Sequence, residues 1–120
     1  MARVLLVDDD AAGLPIRKLI LEAAGHRVWT AASAAEARAE FAAQRPEAVI
    51  IDLRLPRAED GLALIREWRA AFPGLPELRI VVLSGWTADL EREDREAVDQ
   101  VLRKPVRSER LLAAIARRAP

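Results

Sequence analysis

Three short runs in this chain are apolar without alternation: "VLLV" at 4–7, "AVII" at 48–51 and "IVVL" at 80–83. A strand with one wet face alternates polar and apolar residues. A strand that does not alternate is covered on both faces, as in a parallel sheet sandwiched between helices. The stretches between these runs carry helical spacing. Leu14, Ile16, Leu19, Ile20, Ala23 and Ala24 recur as one apolar stripe, Pro15 fits a first helical turn, and Gly25 reads as the stop. "RVWTA" (27–31) is expected to be a second, more exposed strand. Ser33 and Glu36 have capping-box spacing ahead of a helix over 34–44, which Pro46 ends.

"EAVIID" (47–52) is the third strand, and "LRLPRAED" reads as loop from its proline and charges. A helix over 61–72 offers Leu62, Leu64, Ile65, Trp68 and Phe72 to the core, and "PGLPE" (73–77) is a turn. "LRIVVLS" (78–84) is the most hydrophobic strand and so the central one. Residues 87–99 make a helix poor in apolar positions, "QVLR" (100–103) a fifth strand, and 108–118 a last helix capped by Ser108. Strict alternation of five strands and five helices predicts an α/β fold, a (βα)5 doubly wound five-stranded parallel sheet with right-handed crossovers.

A chain of 120 residues with 52% hydrophobic residues suits one domain with one continuous core. Its formal net charge is zero, so no global field calls for nucleic acid or an anionic membrane. There is no cysteine for a disulfide or thiolate metal site, and no apolar run approaches the ~20 residues of a membrane span. A cytoplasmic domain is expected, with neither a signal peptide nor a membrane segment. Among 19 basic residues only Lys18 and Lys104 are lysines, so a lysine here is mildly informative.

In an open parallel sheet, ligands bind outside the carboxyl ends of the strands. The polar residues of this chain fall there. Strand one ends in Asp8 and Asp9, strand three in Asp52, strand four in Ser84, and Lys104 follows strand five. Clustered carboxylates repel unless a cation neutralises them, and an all-oxygen ligand set suits a hard cation such as Mg²⁺. A lysine and a hydroxyl beside such an ion make a receptor for a phosphoryl group. Asp52 is the carboxylate best placed to be phosphorylated. Asp10 fits the start of the first helix better than a metal site.

"LLVDDD", "IIDLRLP", "VVLSG" and "LRKP" resemble, in order and spacing, the receiver domain of two-component response regulators, across essentially the whole chain. The resemblance implies a flavodoxin-like sheet of order 2-1-3-4-5. It implies that Asp52 accepts a phosphoryl group from the phosphohistidine of a histidine kinase or phosphotransfer protein. Asp8, Asp9, Asp52 and the backbone carbonyl of Arg54 would hold Mg²⁺, Ser84 and Lys104 would bind the phosphoryl oxygens, and the Lys104–Pro105 peptide would be cis. Such a protein is no enzyme beyond its own phosphorylation and dephosphorylation. The chain is expected to be a single receiver over 1–120 with no output domain.

Four positions depart from the usual pattern. Val101 stands where the family usually has an aromatic whose rotamer reports phosphorylation. The loop "PRAEDG" is one residue longer than usual between proline and glycine. Arg54 and Trp86 sit two residues past Asp52 and Ser84, positions that often tune acyl phosphate lifetime, and are expected to shield the phosphoryl group and prolong it. His26, the one histidine, reads as a surface residue and not a phosphodonor; Trp29 and Trp68 read as packing residues. Residues 87–99 carry six acids and two arginines, whereas 107–118 carry four arginines and one glutamate. These are two solvated faces, or a charge-complementary 87–118 surface for a partner or homodimer. The rival functions are a degenerate receiver that binds partners without phosphorylation and a small Mg²⁺-dependent phosphohydrolase. Arg54, where such hydrolases need an acid/base, argues against the second. No G-x-G-x-x-G follows strand one, which argues against a nucleotide-binding Rossmann role.

Overall fold

The computed structural model describes residues 2–53, 58–71, 78–85 and 92–116. The strands are β1 (Arg3–Val7), β2 (Arg27–Ala31), β3 (Ala48–Asp52), β4 (Arg79–Ser84) and β5 (Gln100–Arg103). The helices are α1 (Gly13–Ala23), α2 (Ala34–Gln44), α3 (Ala58–Ala71), α4 (Arg92–Ala97) and α5 (Ser108–Ala116). All four strand pairs are parallel, and the sheet order is β2-β1-β3-β4-β5, as expected, although the middle strand is β3 and not the more hydrophobic β4, which is covered on both faces without being central.

The non-alternating runs have the cause inferred for them. Leu5, Val7, Val49, Ile51, Ile80 and Val82 point into one apolar cluster, with Ala37 and Phe41 of α2 and Leu64, Ile65 and Trp68 of α3. Val4, Leu6, Ile50, Val81 and Leu83 point into the other, with Leu14 and Leu21 of α1 and Leu111, Ala114 and Ile115 of α5. Trp68 stacks on Phe41 with ring centroids 4.7 Å apart, a packing role as anticipated. Trp29, on edge strand β2, packs partly buried against the first cluster and lies under the Arg27 guanidinium.

Several boundaries moved. Helix α3 starts at Ala58, not at residue 61, so part of the expected loop is helical. Glu59 and Asp60 occupy its first turn, where carboxylates meet the positive end of the helix dipole. Helix α4 ends at Ala97, before the expected residue 99, because Asp99 is drawn into the sheet. Its N–H donates to the Ile80 carbonyl at 2.8 Å, and its carboxylate accepts from the Ile80 N–H at 2.7 Å. Arg69 of α3 braces the same joint, donating to the Ala97 carbonyl at 2.7 Å, the Leu78 carbonyl at 3.2 Å and Asp99 at 3.0 Å. The expected start of this helix at 87, Phe72 and the 73–77 turn lie outside the described residues.

On α1 the expected apolar stripe is wrong in part. Leu14 and Leu21 are the buried pair, while Ile16 and Leu19 are 59% and 67% exposed, and Ala23 and Ala24 are exposed too. Only one stripe of a helix lying on a sheet can face it. The stripe here runs through positions 14, 17 and 21, and its middle member is Arg17.

Two caps behave as read, but Ser108 is the first residue of α5 and not its cap, because the Arg107 carbonyl accepts the first helical bond, from the Leu111 N–H at 3.1 Å. The Ser33 hydroxyl accepts from the Glu36 N–H, and the Glu36 carboxylate reaches back to the Ala32 N–H at 2.9 Å. Gly25 closes α1 at φ +96°, a left-handed conformation that suits glycine.

His26 is less free than expected. Its Nδ1 accepts the Ala2 N–H at 3.0 Å, and burial holds its pKa below the usual 6.5. The unfolded chain therefore takes up the proton at higher pH than the folded one. The stability held by neutral His26 is complete above pH 6.5 and is lost as pH falls from there toward the lower folded-state value. His26→Gln should flatten that acid-side decline. Urea midpoints measured about one pH unit on either side of the ordinary histidine pKa would show it. Parallel loss of stability in both proteins would rule the imidazole out.

Candidate functional site

The order 2-1-3-4-5 reverses between β1 and β3, so the switch point lies where Asp8 and Asp9 leave β1 and Asp52 ends β3. The period-2 rule sets which side each residue takes. Asp8 continues the Val4–Leu6 parity, Asp52 that of Ala48 and Ile50, and Lys104 that of Leu102, all toward the α1/α5 face. Asp8 is still held in the ladder, its N–H donating to the Ala31 carbonyl at 3.0 Å.

Carboxylate oxygens of Asp8, Asp9 and Asp52 all lie within 4.8 Å of one another. Asp8 is fully buried, Asp52 nearly so, and Asp9 exposed. The Lys104 ammonium reaches across from the end of β5, 2.5 Å from Asp52 Oδ2 and 3.7 Å from Asp8 Oδ2. The Lys104–Pro105 peptide is cis. The Lys104 N–H donates to the Ser84 carbonyl at 3.0 Å, so the lysine and the serine sit on joined strand ends. Ser84 is buried at the last position of β4.

Burial drives the Asp8 carboxyl above the ordinary carboxylate range, with the neighbouring Asp52 charge adding to it. The Asp10 N–H, Lys104 and Arg17 act against that rise. Three carboxylates this close repel one another unless a cation stands between them. Hard oxygen donors this close can share one six-coordinate Mg²⁺, directly or through water. The residues present fit that ion.

Asp10 stands apart, as expected. Its carboxylate accepts from the Ala12 and Gly13 N–H groups at 3.2 Å and 3.1 Å, and the Gly13 bond leads in holding its pKa below the ordinary value. Val101 packs on the α2/α3 side of the sheet, away from the acids. Arg54, Trp86 and the first two residues of the lengthened loop, Pro56 and Arg57, lie outside the described residues, and its other four residues open α3.

Sequence reasoning missed Arg17. Its guanidinium pairs with Asp8 Oδ2, inside the cluster. The signal was present: an arginine falls three residues after Leu14 and four before Leu21, on the inward stripe of α1.

The response regulator receiver domain family matches residues 4–116. The virulence transcriptional regulatory protein PhoP of Salmonella typhimurium is 39% identical over 113 residues, covering 94% of this chain and 50% of that protein. The chain thus spans about half the length of the curated relatives it matches. Among solved structures, the receiver domain (CheY-like) from Methylobacillus flagellatus is 31% identical with a TM-score of 0.83, covering 97% of both chains. A receiver domain protein from Clostridium thermocellum is 28% identical with a TM-score of 0.84, covering 97% of this chain and 92% of that one.

Proposed function

The chain belongs to the response regulator receiver domain family, and on that premise we propose that it is a phosphoryl-accepting receiver of a two-component phosphorelay, with Asp52 as acceptor and Mg²⁺ as cofactor. The observation that carries this reading is the convergence of Asp8, Asp9, Asp52 and Lys104 at the switch point of the sheet.

An Asp52 oxygen attacks the phosphorus of a phosphohistidine, the N–P bond breaks, and the imidazole departs with its electron pair. Asp8, Asp9 and Asp52 would hold the ion, with the Arg54 carbonyl that the family resemblance adds. The ion, when bound, neutralises charge on the transferring phosphoryl oxygens. Lys104 exchanges its Asp52 contact for a phosphoryl oxygen, and the Ser84 hydroxyl donates to another. Arg54 and Trp86, two residues past Asp52 and Ser84 in sequence, would shield the phosphoryl group and slow its hydrolysis. The chemistry is confined to the domain's own phosphorylation and dephosphorylation.

Receiver domains work with histidine kinases or phosphotransfer proteins, and such a protein is the partner proposed here, in the cytoplasm. Phosphorylation would shift the 84–103 region for partner binding or for a homodimer through the 87–118 face. A single receiver over 1–120 is part of the same proposal. Among the described residues no helix is long and apolar enough to cross a membrane.

Val101 favours one second reading, a degenerate receiver that binds partners without being phosphorylated. Beryllofluoride, which mimics an acyl phosphate, separates the two. A phosphoacceptor should bind it stoichiometrically and only with Mg²⁺. No binding by the folded protein in Mg²⁺ would favour the interaction module.

A further inference from the structure

Arg17 occupies one side of the acidic cluster. Its Nη2 pairs with Asp8 Oδ2, the oxygen that Lys104 also faces from 3.7 Å. Its side chain is only 17% exposed, and its Nε is buried with no acceptor among the described residues. A buried donor without an acceptor is costly, so the seat leaves the guanidinium incompletely satisfied, with one charge-assisted hydrogen bond from Nη2 to Asp8. Attraction to Asp8 holds it there.

Gly13 makes room for it. A Cβ at that position would stand 2.9 Å from Nη1 and 3.2 Å from Nη2 of Arg17, and closer still to the Asp10 carboxylate. The charge balance shows what the arginine changes. Three carboxylates less Lys104 leave two negative charges, the complement of one divalent cation. Arg17 removes one of them.

We propose that Arg17 is a tethered competitor of the divalent cation: it neutralises Asp8 in the metal-free protein and must leave Asp8 for Mg²⁺ to bind fully. The inference rests on the reading of Asp8, Asp9 and Asp52 as the Mg²⁺ site. It assigns Arg17 a role in setting how much free Mg²⁺ the domain needs before it becomes competent. A brace that merely positioned Asp8 for the ion would act with the opposite sign, because its removal would weaken Mg²⁺ binding.

Isothermal titration of Mg²⁺ into the wild type, Arg17→Gln and Gly13→Ala distinguishes them. If Arg17 is seated on Asp8 in about nine molecules of ten, both variants should bind Mg²⁺ about tenfold more tightly. Arg17→Gln should also melt lower than wild type without the ion and gain more from its addition. Gly13→Ala keeps the arginine and displaces only the ends of two flexible side chains, at a glycine whose φ is not positive. It therefore decides the matter even if Arg17→Gln fails to fold without metal. Unchanged or weaker Mg²⁺ binding in Gly13→Ala and in folded Arg17→Gln would overturn the proposal while leaving the metal site standing. Absence of Mg²⁺ binding in all three proteins would remove the metal site and the competitor together.

Discussion

Incubated with acetyl phosphate and Mg²⁺, the wild-type protein should gain one phosphate in intact mass, and Asp52→Asn should gain none. This is the largest effect expected of any substitution. Asp52 is the carboxylate at the end of β3, and its Oδ2 is the atom facing the Lys104 ammonium at 2.5 Å. An amide in its place is nearly isosteric, so the fold should persist, but it lacks the anionic oxygen that attacks phosphorus. Removing Mg²⁺ with a chelator should suppress the adduct in the wild type as well, because Lys104 and Arg17 do not fully offset three carboxylates and an incoming phosphoryl anion. An adduct on Asp52→Asn would point to another acceptor. No adduct on either protein would favour the interaction module.

The second large effect is structural. Gly61→Ala should cost about 3 kcal/mol, at the upper end of overpacking effects, because the clash is with backbone. A Cβ at Gly61 would stand 2.6 Å from Leu53 Cα and 2.8 Å from Leu53 C, and closer still to the Leu53 carbonyl oxygen. The Gly61 N–H donates to that oxygen at 3.0 Å, locking the first turn of α3 onto the residue that follows Asp52. The substitution must push the helix off this backbone, so phosphorylation should slow as well as stability fall. Gly85→Ala is the control. A Cβ there meets nothing within 4 Å, and the change should stay within about 0.5 kcal/mol. Urea midpoints of the two variants check the contrast, and equal midpoints would refute the close-approach argument.

The fold was legible because its signals are local and repeated. Unbroken apolar runs mark strands covered twice, and Ser33, Pro46 and Gly25 punctuate the helices where the chain turns. The acids were legible because parallel strands all deliver their carboxyl ends to one edge, so Asp8, Asp9, Asp52 and Lys104 could be brought together from position alone. What escaped depends on rotation and on distance. Ile16 and Leu19 looked like core because several apolar residues share helical spacing, and only the packed sheet selects which stripe faces inward. Arg17 was passed over for the same reason. Asp99 ended α4 early through a bond to Ile80, nineteen residues away, which no local pattern encodes.

The brace at the other end of α4 bears on how a signal would leave the site. Arg69 fastens the last carbonyl of α4 and Asp99 to α3 and to the start of β4. That end of the helix is a fulcrum. Motion begun at Ser84 would tilt α4 about Ala97 like a lever, with displacement growing toward Arg92. A partner that senses the phosphorylated state would gain most by gripping the end of α4 far from the fulcrum.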